Sequence, residues 1–234
     1  MAIRGSLRGR NGNTHRIVDP LLEGAREAGA ETEEVFLVER DIKHCRGCFG
    51  CWGKTPGKCV INDEMPGLID PFLESDYVGL GAPVYSMYMT GLLKDFMDRL
   101  LPLATPHIRK SADGAFYHNG RIKRCPRVFC VANCGFLGEH NFDMLKAMVV
   151  QMSPVLEVYC NCGEALCDAE AAAIPAISEF YDALRQAGKE IVTGGRVSEE
   201  TVRRIHAELM SDEEYMARAN QHWDEEIGRA ESQS

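Results

Sequence analysis

Short apolar runs of strand character alternate with amphipathic helical segments from the N-terminus to about residue 160, and this alternation constrains the fold more than any other feature. Such a pattern specifies a parallel sheet with helices on both faces. It predicts a first strand over 1–4, then a helix over about 13–28 with Ile17, Leu21, Leu22 and Ala25 on its apolar side, and a second strand over 34–38. A helix over 64–74 follows, whose Pro66 is tolerated in a first turn, then a fully buried strand over 77–81 and a helix over about 89–101. Residues 104–124 lack periodicity and are expected as an inserted loop. A fourth strand over 127–131, a helix over 142–151 and a fifth strand over 155–159 complete the pattern. The remainder is helical, over 174–191 and 199–209, with a last helix capped by Ser211 and Glu214 at capping-box spacing.

Five strands in this sequence predict an α/β, flavodoxin-like, doubly wound parallel sheet of order 2-1-3-4-5, which binds ligands at the carboxyl ends of its first and third strands. The two most unusual loops, 6–14 and 83–88, follow those strands. A single domain over 1–195 is expected to carry a cysteine-rich loop at 45–59, with a helical extension over 196–234. Composition agrees with a globular chain. Of 234 residues 45% are hydrophobic and 26% charged, which excludes a disordered chain, a collagen repeat and a coiled-coil rod. The net charge of -9 opposes broad nucleic-acid binding. The longest uncharged stretch, 77–93, is broken by Gly79, Gly81 and Pro83, so no membrane span is expected. The N-terminal arginines have no apolar run behind them, so no secretory signal is read and a cytoplasmic location is expected.

The loop after the first strand, Gly5-Ser6-Leu7-Arg8-Gly9-Arg10-Asn11-Gly12-Asn13-Thr14, opens directly into a helix. Backbone N–H groups and the helix dipole make such a place an anion site, to which Arg8 adds a charge-assisted contact and Ser6, Asn13 and Thr14 add polar side chains. It is neither a Walker loop nor a Gly-x-Gly-x-x-Gly dinucleotide turn. The alternative is an ordinary glycine-rich turn capped by Asn13 or Thr14.

Ten cysteines are the compositional anomaly. Without an export signal, clustered cysteines point to metal ligands or redox groups rather than disulfides. Cys45-x2-Cys48-x2-Cys51-x7-Cys59 brings three thiolates into one tight loop and a fourth from further along, a donor set for a [4Fe–4S] cubane. Gly47, Gly50, Gly53 and Gly57 would let the backbone bend close to the sulfurs. Two alternatives stand beside the cluster: reduced free thiols, or a zinc tetrathiolate, although zinc usually takes two separated pairs. Cys125, Cys130 and Cys160 are expected as small buried hydrophobes, while Cys162 and Cys167 fall in a loop with no assigned role. The seven histidines show no metal-ligand spacing, and no nucleophile elbow is present.

Gly5-Ser6-Leu7-Arg8 with Gly12-Asn13-Thr14, Ala82-Pro83-Val84-Tyr85 and Leu93-Lys94-x-Phe96-x-Asp98-Arg99 together resemble the NAD(P)H-dependent FMN reductase branch of the flavodoxin superfamily. The cysteine loop is similar to that of its iron–sulfur flavoprotein subgroup. The resemblance covers about residues 1–160. It implies that Ser6, Arg8, Asn13 and Thr14 hold the FMN phosphate, that Pro83, Val84, Tyr85, Ser86 and Met87 border the isoalloxazine ring, and that Cys134, Gly135 and Phe136 form a third loop flanking it. It implies Cys45, Cys48, Cys51 and Cys59 as cluster ligands, NAD(P)H or ferredoxin as electron donor, a small-molecule acceptor, and a homodimer or homotetramer to which the helix around Leu93–Arg99 contributes. No catalytic acid or base stands out. The rival readings are an NAD(P)H:FMN or quinone reductase without a cluster, a pure electron carrier, and a flavin dehydrogenase for one metabolite with 104–124 as a lid. One departure from the family pattern is Arg4 in a short first strand where an apolar residue is expected, so either the start lies further upstream or the strand is weak.

Overall fold

The computed structural model describes residues 1–122, 124–167 and 174–232. Its central sheet contains β1 (Ala2–Arg4), β2 (Glu34–Phe36), β3 (Tyr77–Pro83), β6 (Arg127–Asn133) and β7 (Leu156–Cys160). These run parallel in the order β2-β1-β3-β6-β7, the expected 2-1-3-4-5 arrangement. The two remaining strands, β4 (Ala104–Lys110) and β5 (Phe116–Gly120), pair antiparallel outside the sheet. The expected loop at 104–124 is therefore largely a hairpin. Its pattern escaped detection because every residue from Pro106 to Lys110 and most of β5 is exposed, so neither face carries an apolar alternation.

Side chains alternate across each strand, and the two sets build two cores. Phe129, Val131 and Val158 pack against α1 (Asn13–Glu27) and α5 (Pro175–Gly194) through Ile17, Leu21, Phe180 and Leu184. Cys130, Ala132, Val78 and Leu80 face the other way, against α2 (Pro66–Glu74), α3 (Gly91–Asp98) and α4 (Asp143–Val149). Helices α1 and α5 touch backbone to backbone. A Cβ on Gly24 would lie 1.8 Å from the Arg185 carbonyl oxygen, and one on Gly188 would lie 2.0 Å from that of Leu21.

Arg4 is the polar exception inside β1. It is buried, forms an ion pair with Glu34 on β2 and contacts His15 at the start of α1. The charge pair thus ties the short strand to β2, while Ala2 and Ile3 supply its apolar burial. Burial, only partly offset by Glu34, holds the Arg4 pKa below its ordinary value.

Several ends differ from expectation. Thr90 accepts from the Leu93 N–H, so α3 starts two residues later than the pattern suggested. After α6 (Glu199–Ile205) the chain leaves the helix, well before residue 209. The last helix, α7 (Asp212–Glu231), begins as expected, with the Ser211 hydroxyl accepting from the Glu214 N–H at 3.2 Å. No described helix is long and apolar enough to cross a membrane.

Candidate functional site

The carboxyl end of β1 leads into a loop fixed by a backbone bond from Gly5 N–H to the Gly81 carbonyl (2.7 Å). Gly12 immediately precedes α1, and no side chain caps the helix, which leaves its first N–H groups facing this loop. Glycine is required there, since a Cβ would sit 2.5 Å from Ser6 Oγ. Ser6, Asn13 and Thr14 are all buried at the loop's base. The Thr14 hydroxyl donates to Asn133 Oδ1 (2.8 Å) at the end of β6, so its proton is committed to the neighbouring strand. Arg8 donates to both carboxylate oxygens of Glu164 at 3.0 Å.

Two further strand ends meet this loop. Beyond Pro83 the Val84 N–H bonds to the Asn133 carbonyl, and Tyr85 and Tyr88 pair through both backbone groups. Ser86 and Met87 make the turn between them at φ +49° and +65°. Left-handed backbone costs a non-glycine residue about 1–2 kcal/mol, and such strain is concentrated at functional sites. After β6, the Cys134 thiol bonds to the Phe136 carbonyl at 3.1 Å, and a Cβ on Gly135 would meet nothing within 4 Å. Tyr85, Met87 and Phe136 stand 45%, 46% and 70% exposed.

A cleft is lined by Ser6, Arg8, Asn13, Thr14, Pro83, Val84, Tyr85, Cys134 and Gly135, and also by Asn133 and Glu164. Most residues singled out in the sequence thus converge, while Ser86, Met87 and Phe136 lie on the same loops outside its lining. Asn133 and Glu164 were not anticipated. A polar residue closing the apolar strand Val128–Ala132 was a readable signal for the first; Glu164 carries none. Uncapped N–H groups, a guanidinium and two buried polar side chains together fit a phosphate, and the exposed aromatic residues beside them fit a planar ring.

The buried thiols at the ends of β6 and β7 are held in their neutral form by burial. Burial pushes Cys130 and Cys162 up to about 12, with Glu157 adding to the first and Cys134 to the second. Cys130 and Cys160 are buried as expected, but Cys125 is exposed, because it precedes β6 and lies outside the sheet. The Cys167 side chain falls outside those described.

The cysteine loop is tied at its base. Asp41 and Glu64 bond to each other through main chain and carboxylate, and the Lys43 N–H donates to Asp63 Oδ2 at 2.9 Å. Arg99, at the end of α3, donates to the Lys43 carbonyl (2.7 Å) and to both oxygens of Asp63 (2.5 and 3.0 Å). His44 pairs with Asp95 of α3 at 2.7 Å, which raises its pKa. The polar face of α3 is therefore engaged by the cysteine loop.

Within the loop, Gly47, Phe49 and Gly57 adopt left-handed backbone. Gly50 is instead required by packing, since its Cβ would lie 2.9 Å from Val60. Cys45 and Cys48 are exposed, Cys51 buried and Cys59 partly buried. The Arg99 Nε is buried without a hydrogen-bond partner, and the Cys59 thiol adjoins the same guanidinium. Four thiols in one loop with a buried cation beside them fit an anionic group held by thiolates.

Basic residues are concentrated in the sequence of this loop and of the hairpin segment, beside the acidic residues that tie the loop's base. Residues 43–62 and 104–127 hold ten of the 26 Lys and Arg but one of the 35 Asp and Glu. The hairpin formed by β4 and β5 packs on the loop through the Trp52 and His118 rings, 4.7 Å apart, and through Arg121, 3.5 Å from the Cβ position of Gly57.

Residues 1–115 match the family described as NADPH-dependent FMN reductase. An iron–sulfur flavoprotein of Methanocaldococcus jannaschii is 31% identical over 150 residues, 64% of this chain and 74% of that protein. Another, from Archaeoglobus fulgidus, is 38% identical over 102 residues, covering 44% of this chain and 45% of the relative. Several such relatives are matched over less than half of their own length. Among solved structures, an FMN-dependent NADH-azoreductase from Bacillus anthracis in complex with FMN superposes with TM-score 0.58 at 16% identity, over 82% of this chain and 98% of that one. An NAD(P)H:quinone oxidoreductase from Methanothermobacter marburgensis gives 0.57 at 13% identity, over 81% and 95%. At such identities these two establish the shared fold.

Proposed function

Because this chain belongs to the iron–sulfur flavoprotein group of the FMN reductases, we propose that it is an FMN-dependent oxidoreductase that moves electrons between NAD(P)H or ferredoxin, FMN and a [4Fe–4S] cluster. The observation that carries this reading is the meeting of three strand-end loops beside the uncapped start of α1. Ser6, Arg8, Asn13 and the first N–H groups of α1 would hold the phosphate. Asn133 would keep Thr14 and the Val84 backbone in place, and the turn at Ser86 and Met87 would present Tyr85 to the ring. Cys45, Cys48, Cys51 and Cys59 would hold the cluster. FMN supplies hydride and single-electron chemistry, and a cluster supplies single-electron transfer.

Small molecules are the proposed donors and acceptors at the cavity. The basic surface over the cysteine loop and hairpin supports an acidic protein carrier such as ferredoxin as a second donor, since complementary charge steers encounter. An assembly of two or four copies is supported by the exposed Met216, Trp223 and Ile227 of α7, an apolar stripe of the kind buried at interfaces. A cytoplasmic location, where clustered thiols stay reduced, is part of the same proposal.

Anaerobic protein mixed separately with NADH, NADPH and reduced ferredoxin tests the assignment. Bleaching of the flavin band by at least one donor, with passage of electrons to a quinone or dye, is expected. A protein that binds FMN but is reduced by none of the three is not this oxidoreductase. Turnover with NAD(P)H in a protein that lacks iron would leave the plain FMN or quinone reductase.

A further inference from the structure

We propose that Arg99 is a positioning residue for the cluster, fixing Cys59 as its fourth ligand and holding its reduction potential up through the cation it places beside the Cys59 sulfur. This rests on the cluster reading above. Arg99 and Asp63 have side chains 1% and 0% exposed, so their pairing is sheltered from water. Buried pairs of this kind are stable only when the remaining donors and acceptors are also satisfied. Asp63 is satisfied: it receives both arms of the guanidinium and the Lys43 and Met65 N–H groups. Arg99 is not, because its Nε has no partner. An arginine guanidinium stays protonated in proteins, and the Cys59 thiol adjoins this one. An unmet donor therefore belongs to a cation beside a ligand thiol.

A thiolate sulfur would meet that donor. Hydrogen bonds to ligand sulfur and nearby positive charge favour the more negative, reduced state and so raise the potential. The same residue ties Lys43, two positions before Cys45, to Asp63, four positions after Cys59. It thus sets both the span of the loop and the electrostatics of its last ligand.

Three variants, prepared without oxygen, separate these roles: Asp63→Asn, Arg99→Lys, and the double variant Asp63→Asn/Arg99→Gln, which keeps a neutral hydrogen-bonded pair of similar shape. Iron, FMN, melting temperature and the midpoint potential of the bound cluster are measured on each. The double variant is expected to show a more negative potential and faster iron loss to a chelator, with FMN retained. Asp63→Asn, which keeps the cation, should show no negative shift, and Arg99→Lys, with one donor in place of the fork, should fall between. A merely structural tie would lower stability and iron alike in Asp63→Asn and the double variant without moving the potential of the cluster that remains. That outcome, or a double variant with wild-type potential, overturns the assignment. Wild-type protein without iron removes the cluster reading itself, and this assignment with it.

Discussion

Replacing Arg8 with alanine separates recognition of a phosphate from recognition of a flavin ring. The guanidinium is half exposed and pairs with an exposed Glu164, and a surface pair of this kind contributes at most about 1 kcal/mol to folding. Toward a bound phosphate the same group supplies a charge-assisted hydrogen bond worth about 1.5–3 kcal/mol. At 1.4 kcal/mol per tenfold change, that loss corresponds to roughly 10- to 150-fold in Kd. Riboflavin carries the ring without the phosphate and provides the control. Flavin-fluorescence titration of wild type and Arg8→Ala should show FMN weakened within that range and riboflavin unchanged, with the melting temperature nearly constant. Glu164→Gln should act in the opposite sense, because it removes a carboxylate that lines the same cavity and repels the phosphate. Equal weakening of FMN and riboflavin in Arg8→Ala, or no weakening of either, would refute the phosphate assignment.

Gly188→Ala places a Cβ 2.0 Å from the Leu21 carbonyl oxygen and should destabilise by about 1–3 kcal/mol or more as the two helices are pushed apart; an unchanged melting temperature would show that α1 and α5 do not approach so closely. Cys130→Ser buries a poorly satisfied hydroxyl against the sheet and should cost about 1–3 kcal/mol, lowering the melting temperature while iron content stays at the wild-type level. Alkali should destabilise the protein for a related reason. Cys130 and Cys162 remain neutral in the native state up to about 12 against an ordinary value of 9.0, so above that ordinary value the unfolded chain releases protons the native one keeps. Their contribution is complete below pH 9 and is lost as pH rises through the native values; denaturant titrations across this window should show falling stability, with a shallower fall in Cys130→Ala, and an identical fall in that variant would contradict the buried-thiol account.

The sheet order was legible because β3 and most of β6 are continuous apolar runs and the intervening helices carry one apolar side. Its functional edge was legible because Gly12 and the Ser86–Met87 turn leave chemical marks: a glycine where no Cβ fits and a loop of unusual composition. The hairpin at 104–120 was not legible, since exposed strands need no alternation to be stable when a neighbour such as Trp52 holds them. Arg4 looked like a defect because its partner, Glu34, lies thirty residues away on another strand. Glu164 was missed for the same reason, since its pairing with Arg8 leaves no periodic trace, whereas Asn133 stood out as the polar residue that closes an apolar strand. The role of Arg99 was hidden inside an amphipathic helix pattern, where a charged residue on the polar side reads as solvated until the cysteine loop is seen to cover it.

The account's central claim is that one chain holds a flavin at its strand ends and a cluster in its cysteine loop. Counting iron, acid-labile sulfide and FMN in anaerobically prepared wild type and Cys48→Ser tests it most directly. The account predicts about four iron and four sulfide per chain in wild type, one FMN, and a Cys48→Ser protein that stays yellow and folded while its iron falls. Wild-type protein with FMN but no iron, or with the same iron as Cys48→Ser, would contradict it.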